Sequence, residues 1–315
     1  MKKKKIIITV DTEEDNQWDT TNEQTTNNAY YLQRFQDLCN LFDFKPVYLV
    51  TYNMANNPIF EKMVKHELDL ERCEIGMHLH AWSTPPTHEI DYSENERPYL
   101  IEYPNDVMER KFYALDNLLR RKYGNIVSHR SGRWAMNDYY YELLKKYGYK
   151  CDCSVTPGLN WEKCLGATGI GGNDYSKNNE DPTIINGIFE VPVTIKKIRC
   201  FDFNNINGIK TFAKELYYCL FGRITWFRPS IASKKQMCYL ADKVFESDSD
   251  YLMFMIHSSE LMPGGSPYYM DSISIDNLYS DLREVFEYVY EKYEGVTLKE
   301  YVKEKGSVSH DKKNL

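Results

Sequence analysis

Short β-branched runs alternate with amphipathic helical patterns through the first half of the chain, and this alternation limits the fold more than any other feature. Segments 5–10, 46–51, 74–78, 126–131 and 150–155 read as strands, and 29–42, 58–68, 106–123 and 138–147 as helices between them. Such a βαβα order implies parallel strands joined by crossover helices. Residues 156–186 break the pattern, being rich in Gly, Asn, Asp and Pro. A loop of that length in a compact domain is usually functional or a lid. Beyond it, 184–194 and 250–257 read as strands, and 209–221, 233–245, 274–293 and 296–305 as helices. With no internal repeat and no linker, we expect one α/β barrel-like domain over 1–305 and a flexible polar tail over 306–315. The length of 315 residues would also allow two domains at about 150 residues each, but single barrels run this long.

Composition narrows the partners. Lys and Arg number 39 against 46 Asp and Glu, a net charge of −7. That argues against nucleic acid and against an anionic membrane, both of which need a basic surface. No run of about 18 apolar residues occurs, so no membrane span is expected. The apolar run at 6–10 ends at Asp11 and is too short for a secretory core, which points to a buried first strand in a cytoplasmic protein. Eight cysteines do not make a disulfide framework. The 26 tyrosines hint at a carbohydrate ligand, since aromatic rings pack on sugar faces, though they also fill ordinary cores.

Ligands of parallel α/β folds sit at the carboxyl ends of the strands. After the first strand come Asp11, Glu13, Glu14 and Asp15; after the third, His78, His80 and Trp82; after the fourth, Arg130, Arg133 and Trp134; after the fifth, Asp152; after the late strand, His257, Ser258 and Glu260. Topology brings all of these to one rim. Residues i and i+2 of an extended segment face the same way, so His78 and His80 can reach one ion. With a carboxylate from the first cluster they suit zinc or another divalent transition ion. Arg130 or Arg133 can hold a nearby carboxylate ionised. His257, at the end of an apolar run, can donate a proton near neutral pH. Of the remaining histidines, His88 is close enough to be a spare ligand.

These segments, in this order, resemble the metal-dependent polysaccharide deacetylases, the chitooligosaccharide-deacetylase-like carbohydrate esterases, and most of all a cytoplasmic branch linked to surface polysaccharides. The matching stretches are Thr9-Val10-Asp11-Thr12-Glu13-Glu14-Asp15, Glu74-Ile75-Gly76-Met77-His78-Leu79-His80, Arg130-Ser131-Gly132-Arg133-Trp134, Asp152-Cys153-Ser154-Val155-Thr156-Pro157, Phe189-Glu190-Val191-Pro192 and Ile256-His257-Ser258-Ser259-Glu260-Leu261. The resemblance implies a distorted (β/α) barrel of about seven parallel strands. It implies Asp11 as catalytic base, Arg130 orienting it, His257 as general acid, and an acid with two histidines holding the metal. Trp226-Phe227-Arg228-Pro229 resembles a sugar-contacting element of that branch.

Two departures stand out. The family's metal acid is usually Asp, whereas Glu13 takes that place here, with Glu14 or Asp15 able to replace it. The family's second histidine lies four after the first, where this chain has Trp82, so His80 must stand in. The expected activity is hydrolysis of an N-acetyl or O-acetyl group on a sugar or polysaccharide precursor, with zinc, cobalt, nickel or manganese as the ion. Glu13, His78 and His80 would be the ligands, and Trp82, Arg133, Trp134, Asp152, Ser258, Glu260 and Arg228 would contact substrate. Two other readings stay open: a carbohydrate-binding barrel that has lost catalysis, and a metal-independent glycoside hydrolase pairing Asp11 with an acid such as Glu260. Nothing in the sequence sets the oligomeric state.

Overall fold

The computed structural model describes residues 2–19, 23–87, 89–92, 96–203 and 206–311, so His88 and tail residues 312–315 lie outside the described residues. The elements follow in chain order as β1 (Lys4–Thr12), α1 (Leu32–Asn40), β2 (Pro46–Val50), α2 (Tyr52–Ala55), α3 (Pro58–Asp69), β3 (Glu74–Leu79), α4 (Asn105–Tyr123), β4 (Ser128–Ser131), α5 (Asp138–Lys146) and β5 (Cys151–Asp152). The second half holds β6 (Thr183–Ile185), β7 (Ile188–Glu190), β8 (Ile195–Ile198), α6 (Ile209–Phe221), β9 (Arg223–Trp226), α7 (Lys234–Glu246), β10 (Tyr251–His257), α8 (Ser272–Tyr290), β11 (Tyr293–Gly295) and α9 (Leu298–Asp311). No helix among the described residues is long and apolar enough to cross a membrane.

The main sheet runs β10-β1-β2-β3-β4-β5-β7-β6, with β11 pairing the start of β1. Every pairing from β10 through to β7 is parallel, which gives the seven parallel strands of the expected distorted barrel. Between β7 and β10 the ring closes through irregular backbone. Val193 N donates to Val155 O at 3.1 Å, Phe227 N to Thr194 O at 3.1 Å, and Met255 N to Phe227 O at 3.2 Å.

Strand alternation sorts the side chains. Ile6, Ile8 and Val10 of β1, with Ile75 and Met77 of β3, join the large core beneath the helices. Ile7 of β1 packs inside the barrel with Val47, Leu49, Cys151 and Met253. Thr9 and Asp11 share the parity of Ile7, so the polar residues of β1 point into the barrel at its carboxyl end. The same alternation carries Gly76 and His78 inward on β3, opposite Ile75 and Met77. Gly76 is required by close approach, since a Cβ there would stand 2.7 Å from Leu49 Cδ2 and 2.9 Å from Ser128 O.

Segment 184–194, read as one strand, is instead the antiparallel pair β6–β7 followed by irregular backbone. The cause is the Asn186-Gly187 dipeptide, with φ of 50° and 86°. Positive φ at both central residues is the requirement of a tight type I′ hairpin turn. A second antiparallel pair, β8–β9, brackets α6 and lies outside the main sheet.

Candidate active site

Register aligns the two ends of the site. Asp11 pairs with His257 across β1 and β10, and His78 pairs with Arg130 across β3 and β4. Arg130 is wholly buried and spans the barrel interior. Its Nη1 donates to Asp11 Oδ1 at 2.5 Å and to Thr9 Oγ1 at 3.1 Å. Burial pushes the Asp11 carboxyl up, but Arg130, His78 and His257 outweigh it and hold the group below the usual carboxylate range. Asp11 is therefore an ionised carboxylate with one oxygen tied down and the other, Oδ2, 3.9 Å from His257 Nε2.

Glu13, His78 and His80 converge. Glu13 Oε2 lies 3.5 Å from His78 Nε2 and 3.1 Å from His80 Nε2, and the two Nε2 atoms are 3.1 Å apart. All three side chains are buried. His78 Nδ1 donates to Arg130 O at 2.9 Å, which fixes the tautomer and leaves Nε2 as a lone pair. Three such atoms this close need a proton or a cation among them, and one carboxylate with two imidazoles matches the donor set of a divalent transition ion. The group fits a metal. His80 Nδ1 has no hydrogen-bond partner among the described residues, and Glu14 Oε2 stands 3.9 Å from it, on the side where a ligating imidazole carries its proton.

The neighbouring acids have other occupations. Glu14 accepts from Thr51 Oγ1 at 3.0 Å and Asn53 Nδ2 at 2.7 Å. Asp15 accepts from Thr25 N and Thr25 Oγ1, both at 2.6 Å. Glu13 is thus the acid that meets the imidazoles. Burial pushes its carboxyl up, but His257, His78 and His80 bring it well below the ordinary range.

His257 is fixed from behind. Arg228 Nη2 donates to His257 Nδ1 at 2.8 Å and to Glu260 Oε1 at 2.7 Å. A guanidinium only donates, so Nδ1 is the acceptor and Nε2 carries the ring proton, pointing toward Asp11 and Glu13. Trp18 packs edge-on against the imidazole, 5.1 Å between centroids.

The cleft over these groups has a volume of about 430 Å³. Trp82, Arg133, Trp134 and Arg228, expected from the sequence to contact substrate, line it. Trp82 stacks on His80 at 4.2 Å, so the residue in the family's histidine position supports the imidazole that replaces it. Asp152, Ser258 and Glu260 do not reach the cleft wall. Asp152 is buried against His129 Nδ1 at 2.6 Å and Ser154 Oγ at 2.8 Å. Ser258 Oγ accepts from Glu13 N and donates to Glu13 O, both at 3.0 Å, and so seats the turn that carries Glu13. Glu260 is held by Arg228 and by His257 N at 3.0 Å, and it is ionised: burial pushes it up, yet Arg228 and His257 bring it down to about 2. Each was placed at the rim by its strand end, but each turns inward where a buried partner satisfies it.

Sequence reasoning missed Trp18, Arg97 and Tyr99, which line the cleft from irregular segments. No periodicity marks such residues. The 156–186 loop does contribute, through Trp161 and Cys164, and Tyr268 comes from the tyrosine pair that follows Pro267.

No family profile matches the chain, and no curated protein matches it. Among solved structures, it is similar to a 4-alpha-glucanotransferase from Thermococcus litoralis at 13% identity and TM-score 0.55, over 96% of this chain and 40% of that one. The chain thus spans well under half of that protein's length. It is also similar to the Xyl-CE4 domain of a multidomain xylanase from the hindgut metagenome of Trinervitermes trinervoides, at 11% identity, TM-score 0.48, and 97% and 92% coverage. A third is a mutant of a CE4 family pseudoenzyme from Bacillus anthracis with restored enzymatic activity, at 9% identity, TM-score 0.45, and 95% and 68% coverage. At these identities the likeness concerns the fold.

Proposed function

We propose that the protein removes an acetyl group, foremost an N-acetyl group, from an amino sugar by metal-dependent hydrolysis. The observation that carries this reading is the convergence of Glu13, His78 and His80 beside an arginine-held Asp11 and a tautomer-fixed His257. The ordered motifs that resemble polysaccharide deacetylases support it. A divalent ion, zinc foremost, held by Glu13, His78 and His80 would polarise the acyl carbonyl and acidify a water.

The chain's own residues then divide the proton work. Asp11 stays ionised beside Arg130 and accepts a proton from the attacking water through Oδ2. With Nδ1 accepting from Arg228, His257 is a neutral imidazole whose Nε2–H donates a hydrogen bond toward the reacting atoms, and the proton that leaves with the amine is the one Asp11 took from the water. Arg228 keeps Nδ1 occupied, so the proton sits on the nitrogen that faces the reaction. Trp82, Trp134 and the other rings of the cleft wall give apolar faces for sugar rings. The glycosidase alternative loses Glu260 as its second carboxyl, because Glu260 is buried behind His257, and Glu13 is engaged by the two imidazoles. We place the reaction in the cytoplasm, on a nucleotide- or lipid-linked sugar. All eight cysteines are free thiols, the state kept in a reducing compartment.

Acetate release from an N-acetylglucosamine oligomer tests the reading. Turnover should vanish with a chelator and return with zinc. Asp11→Asn and His257→Ala should each lower kcat by about 10²- to 10⁴-fold, the usual contribution of a positioned acid or base. A new reducing end without acetate would overturn the proposal in favour of glycoside hydrolysis. Sugar binding indifferent to chelator, with no acetate, would favour a binding barrel.

A further inference from the structure

Helix α6 is amphipathic in reverse. Ile209, Phe212, Ala213, Leu216, Tyr217, Leu220 and Phe221 recur at the i, i+3, i+4, i+7 spacing of one helical face. That face is turned to solvent: Ile209 is 90% exposed, Leu220 59% and Phe221 56%. The buried position is the polar one, Glu215, which is paired with Arg223. Ile224 of β9 and Phe203 add to the exposed apolar surface. Soluble proteins rarely leave so continuous an apolar stripe uncovered unless it binds something.

Charge says what covers it. Residues 195–224 hold six cations, Lys196, Lys197, Arg199, Lys210, Lys214 and Arg223, against two acids, Asp202 and Glu215, both buried. Lys197, Arg199, Lys210 and Lys214 are exposed and make no ion pair among the described residues. Beside Phe221, a surface pocket of about 390 Å³ is lined by Lys196, Lys197, Arg199 and Lys243 with Ile198 and Tyr239; Lys196 pairs with Glu180 and Lys243 with Glu246, which leaves Lys197 and Arg199 as its free cations among the described residues. The chain's net charge of −7 hides this local reversal of sign.

We propose that α6 and the β8–β9 hairpin form a peripheral docking surface for an anionic lipid bilayer. The apolar stripe enters the interface, and the flanking cations meet the headgroup phosphates, the pattern of interfacial helices. Total charge argues against an anionic membrane, but that charge is unevenly spread and this face is locally basic. Strand β9 links the two regions along the chain: Ile224 belongs to this surface, and Trp226 at its end lines the cleft with Arg228. Docking would bring the cleft to the membrane face. The inference uses none of the proposed chemistry and stands or falls apart from it.

Co-sedimentation of the full chain with vesicles tests it. Wild type should pellet with equal parts phosphatidylcholine and phosphatidylglycerol, bind phosphatidylcholine alone at least about tenfold less, and lose affinity as salt screens the headgroups. Leu216→Ser with Leu220→Ser, and separately Lys197→Glu with Lys210→Glu, should each weaken binding about tenfold or more while thermal unfolding stays at the wild-type temperature. The charge pair lies on exposed side chains, so it tests the proposal even if the apolar pair impairs folding. Absence of binding to the anionic vesicles, or binding unchanged in the charge pair, would overturn the proposal. So would a wild-type dimer in light scattering that the apolar pair dissolves, since a second copy would then cover the face.

Discussion

Arg130→Met removes the cation that Asp11 was built against. Both groups are buried, and their contact at 2.5 Å is the shortest link between β1 and β4 side chains in the site. Taking away one partner of a buried pair costs about 3–5 kcal/mol, because the other charge is left uncompensated. At about 2.1 cal/mol/K per residue, 315 residues give an unfolding entropy near 0.66 kcal/mol/K, so about 4 kcal/mol lowers Tm by about 6 °C. The pH dependence carries a sign. In wild type the folded Asp11 lies below its unfolded value, so its contribution is present at neutral pH and fades as pH falls through the acid range. In the variant, burial dominates and the folded value rises above the unfolded one, so its penalty shrinks as pH falls. The stability gap between the two proteins should therefore narrow from pH 7 toward about pH 4. Urea unfolding followed by circular dichroism, with EDTA present so that ion binding does not enter, measures this. The double variant Asp11→Asn with Arg130→Met should recover at least about 2 kcal/mol relative to Arg130→Met alone. A loss under about 1 kcal/mol, or a double variant as unstable as the single one with a pH-independent gap, would refute the reasoning.

Two further substitutions probe the imidazole that departs from the expected spacing. Trp82→Ala removes the ring stacked on His80 and should weaken zinc binding about tenfold, read by competition with a chelating dye; unchanged affinity would show that the stack does not orient His80. Gly132→Ala places a Cβ against the Leu79 carbonyl and 2.8 Å from His80 Cδ2, so the end of β3 must shift. Its zinc affinity should fall about 10- to 100-fold in the same assay, and wild-type affinity would mean that His80 does not need its observed place.

Much of this architecture was legible because it rests on period and strand ends. The alternation of β1 places Asp11 inside the barrel with Ile7 and Thr9, and the alternation of β3 brings His78 and His80 together despite Trp82 at the expected ligand position. What stayed hidden depends on contacts far apart in the chain. Nothing local to Ser258 announces that it seats Glu13, 245 residues away. Nothing local to Glu260 announces that Arg228, 32 residues away, draws it behind His257. The β6–β7 turn was open to reading, since Asn186-Gly187 is a strong hairpin signal, but the apolar run on either side masked it. The reversed face of α6 was invisible for a simpler reason: a helical pattern does not say which side meets the core.

The proposed chemistry rests on one divalent ion held by Glu13, His78 and His80. Isothermal titration of the metal-stripped protein with zinc tests it most directly. Wild type should take up one ion per chain and Asp11→Asn the same, whereas His80→Ala should lose that site. A wild-type protein that takes up no zinc, or a His80→Ala variant that binds it unchanged, would contradict it.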